Sequence, residues 1–172
     1  MTDDGLPAEA ALEIEMTIKG LMIDPITNMP IIVLRDQEGQ KVLPIWVGVF
    51  EANAIALQIE NVQTPRPMTH DLLKSVLDNL HAVVERIVVS DLKENTFYAT
   101  IYVRVDGEKI PIDARPSDAI ALALRTGSPI FVEESVILNA KTVESTRETM
   151  DSDRLQKWLE GLSDDDLGKY KH

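Results

Sequence analysis

A chain of 172 residues with 44% hydrophobic content is long enough for one globular domain with a sizeable core. Its formal net charge of −12, without a cluster of lysine and arginine in the centre, argues against tight sequence-independent binding to phosphate backbones. The absence of cysteine excludes disulfides and thiolate metal sites, and three scattered histidines argue against the common kinds of zinc enzyme.

The start of the chain does not resemble a targeting segment. Residues 1–11 are small, polar and acidic, and we expect them to form a flexible N-terminal tail. An acidic beginning is wrong for a signal peptide, and no apolar run approaches the roughly 20 residues needed to cross a bilayer. Together with the lack of cysteine, these features predict a cytoplasmic protein that does not bind membranes.

The first half of the chain predicts strands followed by two helices. Residues from Leu12 alternate between apolar and polar, and 31–34 and 41–47 are typical of two further strands joined by a turn at 36–39. Residues 50–61 switch to helical spacing. A second helix of about four turns, capped by Thr69, is predicted to have an apolar face made of Leu72, Leu73, Val76, Leu77, Leu80 and Val83/Val84.

The second half predicts hairpins and a third helix. Strands at 86–92, 97–105 and 109–113 are separated by turns at 93–96 and 106–108, and a helix follows Pro116 and ends before Gly127. After a short strand at 130–132 the domain is complete. We predict a single α+β domain over residues 12–139, with a mixed, largely antiparallel sheet packed with about three helices.

From about Ala140 the composition becomes polar and charged. Residues 140–172 are predicted to form an acidic C-terminal extension with a short amphipathic helix that carries Leu155, Trp158, Leu159 and Leu162. This extension could be a linker with a peripheral helix. It could equally dock on the domain or on a partner chain through Trp158.

The segment DARPSD, residues 113–118, places two acids, an arginine and a serine at a strand-to-helix junction. Magnesium and manganese prefer oxygen ligands, and Asp113 and Asp118 at the ends of a tight turn could bind one such ion. Arg115 could then hold a phosphate through two N–H groups. The structural alternative is that Ser117 or Asp118 caps the helix and Arg115 pairs with an acid.

A second cluster, RPMTHDLL over residues 66–73, lies at a helix start and contains Arg66, Thr69, His70 and Asp71. Imidazole is the usual general base near neutral pH, and a neighbouring acid could orient it or ligate a metal. The alternative is again capping by Thr69, with an acid in a first turn that favours negative charge. Glu51, which opens the preceding helix, could face the same cleft.

Three segments of this chain resemble the bifunctional nuclease domain family: PIWVGVFEANAIAL (44–57), RPMTHDLL (66–73) and DARPSDAIALALR (113–125). The strand FYATIYV (97–103) and PIFVEE (129–134) also fit, so the resemblance covers about residues 14–139. It implies a compact α+β domain, nuclease activity on RNA and DNA, and association into dimers. The motif positions that it makes candidates are Glu51, Arg66, Thr69, His70, Asp71, Asp113, Arg115, Ser117 and Asp118.

The residues and the resemblance together predict a low-specificity nuclease that hydrolyses phosphodiester bonds of RNA and DNA. A magnesium or manganese ion on Asp113, Asp118 and Asp71 would neutralise the developing charge, with His70 as base. Glu51 completes the catalytic set, and Arg66, Thr69, Arg115 and Ser117 would bind substrate. Two alternatives are a non-enzymatic regulatory or protein-interaction module and a small phosphate-ester or metabolite enzyme that uses the same acids. Abundant apolar positions and an unpaired sheet edge predict a homodimer.

Overall fold

A computed structural model describes residues 12–146, 157 and 159–161, with the backbone alone for 141–146. Eleven elements follow one another in the described chain: β1 (Glu13–Ile23), β2 (Pro30–Asp36), β3 (Val42–Trp46), α1 (Val49–Ile59), α2 (Thr69–Asn79), β4 (Val83–Lys93), β5 (Thr96–Val105), β6 (Glu108–Ala114), α3 (Pro116–Thr126), β7 (Ile130–Glu133) and α4 (Glu134–Thr146). None of the helices in these ranges is long and apolar enough to cross a membrane.

The strands form one seven-stranded sheet in the order β3-β2-β1-β7-β4-β5-β6, in which β4 and β7 are parallel and all other neighbours antiparallel. Two tight turns close the β4–β5–β6 meander. Glu94 and Asn95 have φ of 49° and 62°, and Asp106 and Gly107 have φ of 50° and 81°. Paired positive φ values are those of hairpin turns that match the strand twist. The predicted α+β class with a mixed, largely antiparallel sheet is confirmed.

The main core lies between the sheet and the helices. It combines the inward side of the strands with Ala52 and Ile55 of α1, Ile120 and Leu122 of α3 and Val136 of α4. Helix α3 is central, since it packs on α1, α2, β4 and β5. Burying a side chain such as Ile120 contributes on the order of 2 kcal/mol, so α3 is held firmly where its first turn meets the other helices.

The opposite face of the sheet has a smaller apolar cluster. Met22, Ile31 and Val33 pack there with Leu159 of the C-terminal segment, and Val42 and Trp46 lie against them. The C-terminal extension therefore contacts the domain at Leu159. Trp158 and the other apolar residues of the predicted amphipathic helix lie outside the described residues, as does the predicted N-terminal tail.

Two helices differ from the sequence-based expectation. Helix α2 ends at Asn79 rather than continuing through Val84, because His81 adopts φ of 56° and Val83 already begins β4. A left-handed residue cannot continue a right-handed helix. Helix α4 was not predicted, since the apolar residues at 136–138 are too few to show helical spacing. It runs through residue 140, where the composition changes.

Candidate active site

The first turns of α1, α2 and α3 meet, and four side chains of the predicted motifs connect there. The Nε2 atom of His70 lies 2.9 Å from Oδ1 of Asp118. Arg115, which precedes α3, donates from Nε to Oδ2 of Asp118 at 2.8 Å and from Nη1 to Oε1 of Glu51 at 2.9 Å. The structure therefore brings together Glu51, His70 and Asp118, one from each of the three motifs. Arg115 is the fourth member and bonds to both Glu51 and Asp118.

The acids of this cluster are held as carboxylates. Burial alone would raise the pKa of the Asp118 carboxyl, but the hydrogen bonds from Arg115 and His70 outweigh it and leave that pKa below its ordinary value. The hydrogen bond from its own backbone N–H, followed by that from Arg115, lowers the pKa of Glu51. Both acids in turn raise the pKa of Arg115. The cluster is thus an anion–cation–anion network at neutral pH.

The ionised state of Asp118 determines which nitrogen of His70 is available. A carboxylate only accepts hydrogen bonds, so Nε2 of the imidazole must carry the proton that it shares with Asp118. In the neutral ring Nδ1 then has a lone pair, and Nδ1 has no hydrogen-bond partner among the described residues. The His70 side chain is 13% exposed, so the pair is mostly shielded from solvent. This arrangement is suited to a general base oriented by an acid.

The guanidinium of Arg115 is the accessible part of the cluster. Its side chain is 64% exposed although two of its N–H groups are engaged by acids. Arginine has five N–H donors in a planar fork, so the remaining ones can bind an anion without breaking either contact. The cluster therefore presents a fixed cation beside an oriented imidazole.

Asp71 lies next to His70 but has different partners. Its Oδ1 accepts a bond of 2.7 Å from Nε of Arg125, and its Oδ2 accepts the backbone N–H of Met68 at 2.9 Å. The second bond satisfies a free N–H group at the start of α2, so the capping acceptor is Asp71 and not Thr69, which is the first helical residue. The backbone bond from Met68, then the bond from Arg125, lowers the pKa of Asp71.

Asp113 is not brought into the cluster. In the β5–β6 ladder it lies opposite Thr100, whose neighbours Ala99 and Ile101 face the helix-covered core. Because side chains alternate along a strand, Thr100 and Asp113 face away from the helices. Asp118 contacts His70 on the helix side. The two acids thus lie on different sides of the sheet, and the turn between them does not bring them to one point.

The remaining candidate substrate-binding residues differ in accessibility. Ser117 is 7% exposed and neither Ser117 nor Asp118 forms a side-chain cap at the start of α3, contrary to the capping expectation. The carboxylate of Asp118 is instead occupied by His70 and Arg115. Arg66 and Thr69 are exposed before and at the start of α2, and within the described residues neither is hydrogen-bonded to the four clustered side chains.

The expected metal ligands do not form a donor set in this structure. Within residues 12–140, 157 and 159–161, no group of three or more histidine and acidic side chains is arranged to hold an ion. Asp71 and Asp118 are each engaged by an arginine, and Asp113 is on the other side of the sheet. Magnesium prefers near-octahedral oxygen coordination, which these separated and occupied carboxylates do not offer.

A model of the bifunctional nuclease domain matches residues 32–145, which is more than half of the chain and includes all four clustered side chains. The chain belongs to the bifunctional nuclease domain family. The resemblance seen in the three motifs is therefore confirmed.

Relatives of this family member occur in bacteria and plants. An uncharacterized protein of Mycobacterium tuberculosis is 37% identical over 162 residues, which cover 89% of this chain and 97% of that protein. Bifunctional nuclease 2 of Oryza sativa subsp. japonica is 30% identical over 135 residues, or 75% of this chain and 42% of the plant protein. Bifunctional nuclease 2 of Arabidopsis thaliana is 31% identical over 107 residues, or 60% of this chain and 32% of that protein. The chain thus spans less than half the length of these two plant relatives.

Sequence reasoning missed two residues that shape the site of this family member. Arg125 ends the motif DARPSDAIALALR, but its partners Asp71 and Ala54 lie on other helices, so nothing near it in the sequence marks it as a site residue. The second residue, Gly48, carries no signal in the sequence. It precedes α1, and a Cβ at this position would overlap with the carboxylate of Glu51, which folds back over the start of the helix.

We expect Gly48→Ala to displace the Glu51 carboxylate from the start of α1. The flexible end of a side chain can move, and the φ of −72° at residue 48 suits alanine, so the loss of stability should be about 1 kcal/mol or less. The pKa of Glu51 should rise towards its ordinary value, as measured by carboxyl NMR titration. Asp71, on another helix, should keep its lowered pKa and serves as the internal control. An unchanged pKa of Glu51 would contradict this account.

Proposed function

We propose that this protein is a nuclease that hydrolyses phosphodiester bonds of RNA and DNA with low sequence specificity. Family membership supports nuclease chemistry, and the plant relatives bear the name bifunctional nuclease. The observation that carries the proposal is the contact of His70 with Asp118 beside the exposed guanidinium of Arg115. In phosphodiester hydrolysis an oriented base can activate the attacking water, and a neighbouring cation can stabilise the charge that develops on the phosphate.

Each clustered side chain has a role in this proposal. Nδ1 of His70 accepts a proton from the attacking water, and Asp118 holds the ring in the tautomer with the proton on Nε2 and stabilises the imidazolium. Arg115 donates its remaining N–H groups to the non-bridging phosphate oxygens, on which charge develops. Glu51 fixes the other side of the guanidinium. The water oxygen bonds to phosphorus while the bond from phosphorus to the leaving oxygen breaks. The leaving oxygen then takes up a proton from solvent or from the imidazolium.

Low specificity and weak substrate binding are supported by the surroundings of the cluster. Phe50, next to Glu51 at the start of α1, has 88% of its surface exposed. Aromatic rings stack on any base, so such a ring favours binding without sequence preference. The net charge of −12 opposes the approach of a polyanion and predicts weak binding.

Assistance by magnesium or manganese stays a prediction of the sequence. The separated carboxylates do not fit a metal site, so no step of the mechanism is assigned to an ion. Addition of EDTA tests this point directly, since a reaction that uses only His70, Asp118 and Arg115 continues in its presence.

A second candidate function is a non-enzymatic interaction module in which the cluster is a structural ion network. The observation that favours it is that Glu51, Asp71 and Asp118 all have an arginine partner within the chain. Such a network would hold α1, α2 and α3 together without any substrate.

The test is cleavage of labelled single-stranded RNA and DNA by the purified protein, in EDTA and with magnesium or manganese added. A His70→Asn preparation made by the same procedure controls for contaminating nucleases. Cleavage by the natural protein alone supports the nuclease. No cleavage under any of these conditions, or equal cleavage by both preparations, would favour the interaction module.

We also propose that the chain forms a homodimer through the outer side of α2. Leu72, Leu73, Val76 and Leu80 form an exposed apolar stripe on this helix, opposite its contact with α3. Ile110 and Ile112 are exposed on β6, which is one of the two edge strands of the sheet. Exposed apolar patches and free sheet edges are typical of protein interfaces.

Light scattering should therefore give twice the chain mass of 19.2 kDa. The double variant Leu72→Lys/Val76→Lys should give the mass of one chain, because two charges in an apolar interface would be desolvated without partners. Ser75→Lys adds the same charge to α2 outside the stripe and should leave the dimer intact. A single-chain mass for the natural protein across a concentration series would refute the dimer.

A further inference from the structure

Arg125 connects three helices from a buried position. It lies in the last turn of α3, and its side chain is 4% exposed. Its Nε donates to Asp71 in α2 at 2.7 Å, its Nη2 donates to the carbonyl of Ala54 in α1 at 2.9 Å, and its Nη1 donates to the carbonyl of Ala121 in α3 at 2.9 Å. Each nitrogen of the guanidinium therefore bonds to a different helix.

The charge of this buried guanidinium is balanced by Asp71. A buried cation is costly unless it is paired and hydrogen-bonded, and Arg125 forms an ion pair with Asp71. The other oxygen of the Asp71 carboxylate accepts the N–H of Met68 at the start of α2. Both oxygens are thus committed to holding the first turn of this helix.

The first turn of α2 is attached to α3 at two separate points. His70 contacts Asp118, and the adjacent Asp71 contacts Arg125, seven residues further along α3. At 1.5 Å per residue these two points lie roughly 10 Å apart. Neighbouring residues project about 100° apart around a helix, so the two contacts together prevent α2 from sliding or rotating on α3.

We propose that Arg125 is a positioning residue, which acts through Asp71 to hold the first turn of α2 so that Nε2 of His70 reaches Asp118. This assignment rests on the proposed function for the role of His70, but the geometric claim stands by itself. It also gives Asp71 a positioning role in place of catalysis or metal binding. Arg125 itself touches neither a substrate nor the reacting atoms.

Three variants test the proposal in the full chain. Arg125→Met removes the charge and keeps an unbranched side chain. Arg125→Lys keeps the charge but lacks the planar fork that reaches three helices. Lys74→Met is the matched control, because it breaks an exposed ion pair with Asp78 on the same helix α2. Folding is checked by circular dichroism and melting.

The first measurement is spectroscopic and does not need activity. The imidazole nitrogen chemical shifts of His70, assigned by their loss in His70→Asn, report its hydrogen bond to Asp118. We expect them to change in Arg125→Met, to be partly restored in Arg125→Lys and to stay as in the natural protein in Lys74→Met. If Arg125→Met does not fold, Asp71→Asn removes the same ion pair with an uncharged side chain of the same shape and should also change them.

The second measurement separates kcat from KM on labelled single-stranded DNA. Misplacement of a catalytic group by about 1 Å costs on the order of 10²-fold in rate, so kcat should fall by about that factor in Arg125→Met. KM should change little, since Arg115 keeps its own contacts. A folded Arg125→Met or Asp71→Asn protein with unchanged His70 signals would overturn the proposal. The natural protein could also cleave nothing while the variants still change the His70 chemical shifts. That result would support the positioning role of Arg125 and would overturn only the proposed nuclease function.

Discussion

Replacing His70 with asparagine should lower the rate of RNA and DNA cleavage by about 10²–10⁴-fold, the range typical for loss of a general base. Asparagine is polar and smaller than imidazole, so it fits the space of the ring and the fold should persist. It cannot take a proton from water, however. The expected loss is therefore in kcat, as measured by single-turnover cleavage at saturating protein.

The matched control for this prediction is His81→Asn. His81 is exposed in the turn after α2 and has φ of 56°, a conformation that asparagine adopts readily. Cleavage by His81→Asn should equal that of the natural protein. If both variants cleave as fast as the natural protein, the cleavage does not depend on His70, and the nuclease assignment loses its support in favour of the interaction module.

The sequence predicts the fold of this chain well where local patterns decide it. The alternation in 97–105 and the Asp106-Gly107 turn predict the β4–β5–β6 meander, and Pro116 and Gly127 mark the two ends of α3. Each of these signals comes from residues close together in the chain, because turn and helix-end preferences depend on local backbone conformation.

Contacts between distant elements are harder to predict, and the cluster shows why. The motifs contain the right residues, yet nothing in DARPSD indicates that Asp118 points to α2 while Asp113 points to the other side of the sheet. That separation follows from the register of β6 on β5, which depends on the whole ladder. Arg125 was missed for the same reason, because its partners lie 54 and 71 residues away in the chain.

The apolar face of α2 shows a further limit. Leu72, Leu73, Val76 and Leu80 have the spacing of a core-facing helix, yet the structure leaves them exposed and buries part of the polar side, where His70 and Asp71 contact α3. The periodicity of apolar residues predicts that one side of a helix will be buried. It does not predict whether the same domain or another chain buries it. The exposed stripe is consistent with a second chain as its partner, which the light-scattering experiment tests.

Replacing Asp118 with asparagine should reduce cleavage about as far as His70→Asn does. It removes the charge that fixes the tautomer of His70 and one of the two acids that hold Arg115. Residues that act as a unit are not additive, so the double variant His70→Asn/Asp118→Asn should be little slower than either single variant. Single-turnover cleavage of RNA and DNA by the three variants measures this coupling.

The matched control is Asp113→Asn, the same substitution on the opposite side of the sheet. Its cleavage should be unchanged, whereas a metal site shared by Asp113 and Asp118 requires both acids and would be disabled by either change. Asp118→Asn should also change the stability of the fold. Because the pKa of Asp118 is lowered in the folded state, its carboxylate stabilises the fold above the ordinary pKa of 3.8, and this contribution is lost as the pH falls through the lowered value. The melting temperature of Asp118→Asn should therefore lie below that of the natural protein at neutral pH and approach it in acid. Loss of metal-dependent cleavage in Asp113→Asn would overturn this assignment and restore the carboxylate pair as the site.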